Sequence, residues 1–398
     1  YPMAIKYLDT ADFKGKKVIA RFDFNVPLDK KNSSIITDTT RVDLALPTIR
    51  LILEKGANKV ILMSHLGRPK SAEDKSCSLE PVAEYLSQQL GVDVFLSHSV
   101  VDGVKRFLSL PEAKIILLEN LRYHPGEEAN DMEFASHLAG LADFYVNDAF
   151  GAAHRKHASV HAINAFFKNK AYCGELMKKE VESLERVIHN PKKPFVAIIG
   201  GAKVSDKIKT IEKLMRSVDH LLIGGAMAYP FLKARGAQVG KSLCSDEDVK
   251  LATSLLRVDK ANKIVLPLDH VGSGSFDGDA TIINEVNIPD SMMGLDIGPK
   301  TIEAYAQTIA TAQTIFWNGP MGLFENKNYA NGTFSMAKAI AKSAAFSVVG
   351  GGDSVSAVNQ SGMAHEFSHV STGGGASLEY IENGELPGVQ ALKFGVQA

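Results

Sequence analysis

An apolar run, Phe346, Val348 and Val349, stops at Gly350-Gly351-Gly352 and passes through Asp353 and Ser354 into a helix-compatible segment. A strand, a glycine turn and a helix start together present unpaired backbone N–H groups and the positive end of a helix, which suits a phosphate. Glycines let backbone and ligand approach closely, and an Asp beside a phosphate can hold Mg²⁺ through its oxygens. The plain alternative is a tight turn with Asp353 as N-cap and no ligand. Four more glycine-bearing segments in the second half tell against it: Gly200–Lys207 (GGAKVSDK), Gly224–Met227 (GGAM), Asn318–Glu325 (NGPMGLFE) and Thr372–Ser377 (TGGGAS). Repeated backbone exposure at one sheet edge suits a nucleotide. The spacing puts Lys203 and Lys207 one turn apart on an opening helix, so that both point at the same phosphates.

The first half carries cations where the second carries glycine. Asp23 and Asn25, His65 and Arg68, Arg122 and His124, and Asn147 and Asp148 leading to His154, Arg155 and His157, all follow apolar runs, and Arg41 adds another cation. Any one of these alone reads rather as a scattered surface residue. Together they describe an anion-binding cup, because the Arg fork matches phosphate and carboxylate oxygens. His154, His157 and His161 invite a metal reading, but no nearby Cys or Glu completes a ligand set.

Residues so placed need strands to carry them. Short apolar runs, Lys17–Phe24, Lys59–Ser64, Lys114–Leu118 and Ala142–Val146, then Pro194–Ile199, His220–Ile223, Lys263–Leu266, Thr314–Trp317 and Phe346–Val349, alternate with amphipathic stretches. That is the pattern of parallel sheets covered by helices, whose ligands bind beyond the carboxyl ends of the strands. Gly174–His189 has Leu176, Val181, Leu184 and Ile188 at helical spacing and stops at Asn190-Pro191. The expected fold is α/β, two Rossmann-like parallel-sheet domains joined by a helix with a cleft between them. The expected boundaries are 1–172, a linker helix at 173–190, and 191–385.

Composition excludes several classes. The 398 residues exceed one ordinary core. A net charge of -1 gives no basic excess for nucleic acid. Three scattered cysteines, Cys77, Cys173 and Cys244, read as reduced thiols of a cytoplasmic protein. No apolar run reaches the ~20 residues of a membrane span, and the opening YPMAIKYL lacks a signal-peptide layout. Gly236–Ser242 (GAQVGKS) has too few residues between its glycines for a P-loop. Gly272–Gly278 (GSGSFDG) is too long for a dinucleotide fingerprint, which removes the dehydrogenase reading.

A cationic cup and a nucleotide shelf imply chemistry between two separately held anions. Phosphoryl transfer, which needs positioning and charge neutralisation, fits. The segments RFDFNVPL (21–28), TDTTRVDLALPTI (37–49), SHLGRP (64–69), LLENLRYHPGEE (117–128), VNDAFGAAHRKHAS (146–159), GGAKVSDKI (200–208), FWNGPMGLFE (316–325), GGGDSV (350–355) and STGGGASLE (371–379) occur in the order found in one family. Along nearly its whole length the chain resembles the phosphoglycerate kinases. The resemblance implies reversible transfer between 1,3-bisphosphoglycerate and ADP, giving 3-phosphoglycerate and MgATP in glycolysis. It implies Asp23, Asn25, Arg41, His65, Arg68, Arg122 and Arg155 as phosphoglycerate contacts, and Arg41, Lys203 and Gly352 as catalytic. For the nucleotide it implies Gly201, Ala202, Lys203, Lys207, Gly225, Gly294, Leu295, Asn318, Pro320, Glu325, Gly351, Gly352, Asp353 and Ser354, with Asp353 the Mg²⁺ partner. It also implies a monomer whose residues 386–398 fold back onto the first domain. Leu266–Ser275 (LPLDHVGSGS) departs from the family's commoner apolar continuation. The competing reading is a binding module that holds nucleotide without turnover; against it, Arg41, Lys203 and Asp353 are all present.

Overall fold

The computed structural model describes residues 5–99 and 102–398. The chain divides into two compact units, one running to Glu182 and taking in Glu385–Ala398, the other Ser183–Gly384.

The first unit is built on a parallel sheet of β1 (Lys17–Arg21), β2 (Lys59–Met63), β3 (Val94–Ser97), β4 (Ile115–Leu118), β5 (Phe144–Asn147) and β6 (Ala171–Cys173), in the order β3-β4-β2-β1-β5-β6. KVILM of β2 and IILL of β4 are buried at every position, as strands covered on both faces must be. Val18, Val60, Leu62, Ile115 and Leu117 pack with Leu46, Ile49 and Ile52 of the helix Thr40–Glu54. The strand β1 stops at Arg21, short of the expected Phe24. Phe24 N–H there donates to the Ser64 side chain (2.8 Å) instead of a strand neighbour, which frees Asp23 and Asn25 from the ladder.

The second unit has a parallel sheet of β7 (Phe195–Ile199), β8 (His220–Ile223), β9 (Ile264–Val265), β13 (Thr314–Asn318), β14 (Phe346–Gly350) and β15 (His369–Val370), in the order β15-β14-β13-β7-β8-β9. Beside it lies an antiparallel sheet of β10 (His270–Ser273), β11 (Thr281–Ile283) and β12 (Met293–Ile297). The runs read from sequence gave no sign of this small sheet. The departing segment Leu266–Ser275 forms its strand β10, in which His270 is buried and its Nε2 lies 2.9 Å from the Val286 carbonyl.

The helix Glu175–Ile188 contains the boundary between the units, after Glu182. Its start is tied to the first unit. Glu175 N–H donates to Thr48 Oγ1 (2.9 Å) and Met177 N–H to Asp148 Oδ1 (3.1 Å). The helix Pro387–Phe394 belongs to that unit too, with Gly388 N–H donating to the Ala153 carbonyl at 2.8 Å.

Each sheet has a point where winding reverses, between β1 and β5 in the first and between β7 and β13 in the second. Such points open a crevice beyond the strand ends. At the second, Gly200 N–H donates to the Asn318 carbonyl (2.9 Å) and Gly201 N–H to the Pro320 carbonyl (3.1 Å).

Candidate active site

In the first unit the strand-end residues form one hydrogen-bonded set. Arg41 Nη1 donates to the Asn25 carbonyl (2.8 Å) and lies 3.4 Å from Asp23 Oδ1. Asn25 Oδ1 accepts from Gly67 N–H (2.8 Å), and Arg122 Nη1 donates to the Gly67 carbonyl (2.9 Å). Arg68, the next residue, is exposed, as is Arg155. Arg122 is charged at a cost: burial lowers its pKa, Glu128 opposes that, and Arg21 and Arg155 push it further down. Asp23, Asn25, Arg41 and Arg122 are thus linked, in part through Gly67, while Arg68 and Arg155 are exposed, with Arg155 Nε donating to His154 Nε2 at 3.4 Å.

His65 differs from the expected cation. It is buried, and burial together with Arg21, Arg122, His157 and Arg41 pushes its pKa well below the usual histidine value. Arg21 Nη2 lies 3.0 Å from His65 Nδ1. A guanidinium only donates, so Nδ1 accepts and the ring proton sits on Nε2. His65 therefore contributes a neutral donor.

Arg21 itself escaped the reading of the sequence, although an Arg inside the apolar run VIARF was a signal. Its side chain is fully buried, with Nε donating to Ser159 Oγ (2.7 Å) and Nη2 3.6 Å from Glu127 Oε2. Glu127, equally buried, accepts from Ser159 N–H (2.8 Å) and Ser159 Oγ (2.5 Å). Through Arg21 Nη2 this ion pair reaches His65.

In the second unit a cavity of about 270 Å³ is lined by Gly201, Ala202, Gly225, Gly294, Leu295, Pro320, Glu325 and Asp353 among the predicted residues. Leu243, Phe276 and Leu323, which the sequence did not single out, add an exposed apolar rim. Gly225 is needed here because its φ is +71° and an added Cβ would stand 2.7 Å from the Gly201 carbonyl. Asn318 and Ser354 are buried braces: Asn318 Nδ2 donates to the Gly350 carbonyl (2.8 Å) and Ser354 Oγ accepts from Gly319 N–H (2.5 Å). Lys207 Nζ donates to Asn318 Oδ1, and burial lowers its pKa against the pull of Asp206, Asp353 and Glu382.

The two expected anion-binding helix starts turn out unlike. Helix Gly352–Gln360 begins after Gly351 (φ +94°) with no side-chain cap, so its first N–H groups stand open to a ligand. Asp353 is exposed in its first turn and is not the N-cap. Helix Val204–Met215 is closed, because Asp248 accepts from Val204 N–H (3.1 Å) and Ser205 N–H (3.2 Å). Lys203 is the extended N-cap residue (φ −132°, ψ 133°), outside the helix that holds Lys207. The two lysines are therefore not equivalent: Lys203 is exposed, and Lys207 is half-buried against Asn318.

Asp353 fits a Mg²⁺ role of the kind in which one carboxylate shares the ion with phosphates. No group of three or more His, Cys, Asp or Glu that could hold a metal occurs among the described residues.

The family model described as phosphoglycerate kinase matches residues 8–384. A phosphoglycerate kinase of Anaeromyxobacter sp. (strain Fw109-5) is 53% identical over 98% of this chain and 100% of its own length. That of Leptospira biflexa (strain Patoc 1 / Ames) is 48% identical over 98% of each chain. Among solved structures, phosphoglycerate kinase from Coxiella burnetii is similar with a TM-score of 0.89 at 39% identity, covering 98% of this chain and 99% of that one. The enzyme from Pyrococcus horikoshii OT3 gives 0.82 at 31% identity with the same coverage. With the family model spanning residues 8–384 and relatives about half identical along 98% of its length, the chain belongs to the phosphoglycerate kinase family.

Proposed function

We propose that the chain catalyses reversible phosphoryl transfer between 1,3-bisphosphoglycerate and ADP, giving 3-phosphoglycerate and ATP, in the cytoplasm and as a monomer. The observation that carries this reading is the uncapped start of helix Gly352–Gln360 beside the glycine-lined cavity of about 270 Å³. A nucleotide would lay its base and ribose against Gly201, Ala202, Gly225, Gly294, Leu295, Pro320 and Glu325. Its phosphates would meet Gly351, Gly352, Ser354, Lys203 and Lys207. Asp353 and the phosphate oxygens would share Mg²⁺, which neutralises phosphate charge when bound.

Phosphoglycerate would take the first unit's residues. Arg68 and Arg155 would offer exposed guanidiniums, Arg122 and Arg41 add fixed positive charge, Asp23 and Asn25 hold Arg41, and the His65 imidazole donates from Nε2. In the direction of ATP consumption, a carboxylate oxygen of 3-phosphoglycerate forms a bond to the γ-phosphorus as the bond to the ADP oxygen breaks. That carboxylate is already ionised, so no general base is required. Arg41, Lys203 and Gly352 then stabilise charge on the moving group. Neither nucleic acid nor membrane has a part in this reading. No helix among the described residues is long and apolar enough to cross a membrane.

An NADH-coupled assay with 3-phosphoglycerate and ATP tests it. Turnover should require both substrates and stop when Mg²⁺ is chelated. Nucleotide binding without turnover would replace the kinase with the binding-module reading.

A further inference from the structure

We propose that Asp248 is a positioning residue for Lys203, fixing the backbone from which that lysine reaches the transferring phosphoryl group. The inference rests on the role given above to Lys203.

Asp248 belongs to a different helix, Asp246–Val258, and is 4% exposed. Its two carboxylate oxygens are divided between consecutive amides, Oδ2 for Val204 N–H and Oδ1 for Ser205 N–H. The first bond pins the peptide plane between Lys203 and Val204. Val204 is fully buried, so the plane is held on its other side by packing. Lys203 sits immediately before this anchor, extended and without a side-chain cap of its own, at the exposed end of the sequence GGAK. On its other side Gly201 (φ +119°) is itself held, its N–H donating to the Pro320 carbonyl (3.1 Å) and its carbonyl accepting from Met227 N–H (3.0 Å). The lysine thus lies between two anchored points, and the carboxylate of Asp248 holds the one that adjoins it. Asp248 is in turn oriented by Ser245 Oγ, which accepts from its backbone N–H at 3.2 Å. Because Asp248 occupies the amides, a phosphate near this turn meets Lys203 itself and not the helix end.

The test is a double-mutant cycle of Asp248→Asn with Lys203→Ala, read as kcat and KM on correctly folded enzyme quantified by active-site titration. Asparagine keeps one acceptor and sets an N–H₂ against the second amide. It should lower kcat about 10-fold or more, since a 1 Å misplacement of a reacting group can cost ~10², while KM for ATP moves less than about 3-fold. In the Lys203→Ala background the same change should do almost nothing, because its effect passes through the lysine. Asp248→Ser, which retains one capping oxygen in a smaller side chain, should fall between, and it serves if the Asn variant folds poorly. Equal kcat losses from Asp248→Asn with and without Lys203 would overturn the proposal, as would an unchanged kcat per active site in a less stable protein. If Lys203→Ala alone loses no kcat, the assignment of Lys203 fails first, and the proposal with it.

Discussion

Glu127→Gln is a near-isosteric change that should destabilise the first unit far more than its size implies. The carboxylate accepts from both Ser159 donors and lies 3.6 Å from Arg21, with both side chains fully buried. Glutamine keeps one acceptor. Its amide N–H₂ must face either a Ser159 donor or the guanidinium, and the remaining partners of Arg21 are neutral: Ser159, the Phe22 carbonyl and the unprotonated His65. Breaking one side of a buried pair strands the other charge, at about 3–5 kcal/mol. For a unit of this size that is a melting shift of roughly 6–20 °C. Trp317, the only tryptophan, lies in the second unit, so its fluorescence would follow the wrong transition. Hydrogen exchange read on peptides covering β1 and β5 isolates the first unit. The change should also raise the KM for phosphoglycerate, because His65 loses a fixed neighbour. A loss below about 1 kcal/mol, no more than an average point mutation gives, would refute the claim that Arg21 depends on this carboxylate.

Gly351→Ala should destabilise the second unit by about 1–3 kcal/mol, the cost of a strained backbone, because φ is +94° and the new Cβ would stand 2.3 Å from Asn318 Nδ2. Gly352→Ala meets no atom within 4 Å and should leave thermal stability almost unchanged; equal melts for the two variants would count against the geometry. Burial raises the pKa of Asp148 to about 7, so the folded state holds a proton that the unfolded state has released above about 4. Its stabilising contribution is full below about 4 and is lost as pH rises to about 7; wild type should therefore lose urea stability relative to Asp148→Asn across that window, and parallel curves would exclude it. Arg68→Ala should mainly raise the KM for 3-phosphoglycerate, and an effect confined to ATP would remove Arg68 from the substrate set.

The sequence disclosed those strands whose surroundings are uniform. KVILM, IILL, FVAII and TIFWN are buried throughout and read as apolar runs. VFLS and AYC are short strands at the sheet edges, with Phe95 43% exposed, and carry no comparable signal. HVGS and MGLDI hide their pairing because glycine occupies the positions where the strands approach each other. Strand-end glycines were legible where backbones approach closely, as at Gly225 beside the Gly201 carbonyl. Arg21, Glu127 and Asp248 were not, since each acts through a distant partner. Arg21 meets Ser159 across 138 residues of chain, and Asp248 meets Val204 across 44. The lysines at 203 and 207 show the limit of periodicity, which gives a direction only once the helix has begun.

The placement of Glu385–Ala398 bears on how the protein emerges from the ribosome. The first unit lacks its last helix until about 200 residues of the second have been made, which at ~5–20 residues per second takes roughly 10–40 s. During that interval Ala153, whose carbonyl later receives Gly388 N–H, and the apolar surface that Val389 and Ala391 come to cover face solvent in the nascent chain. The second unit, continuous in sequence, has all its strands available before the first is complete. In translation the unit that begins first is finished last.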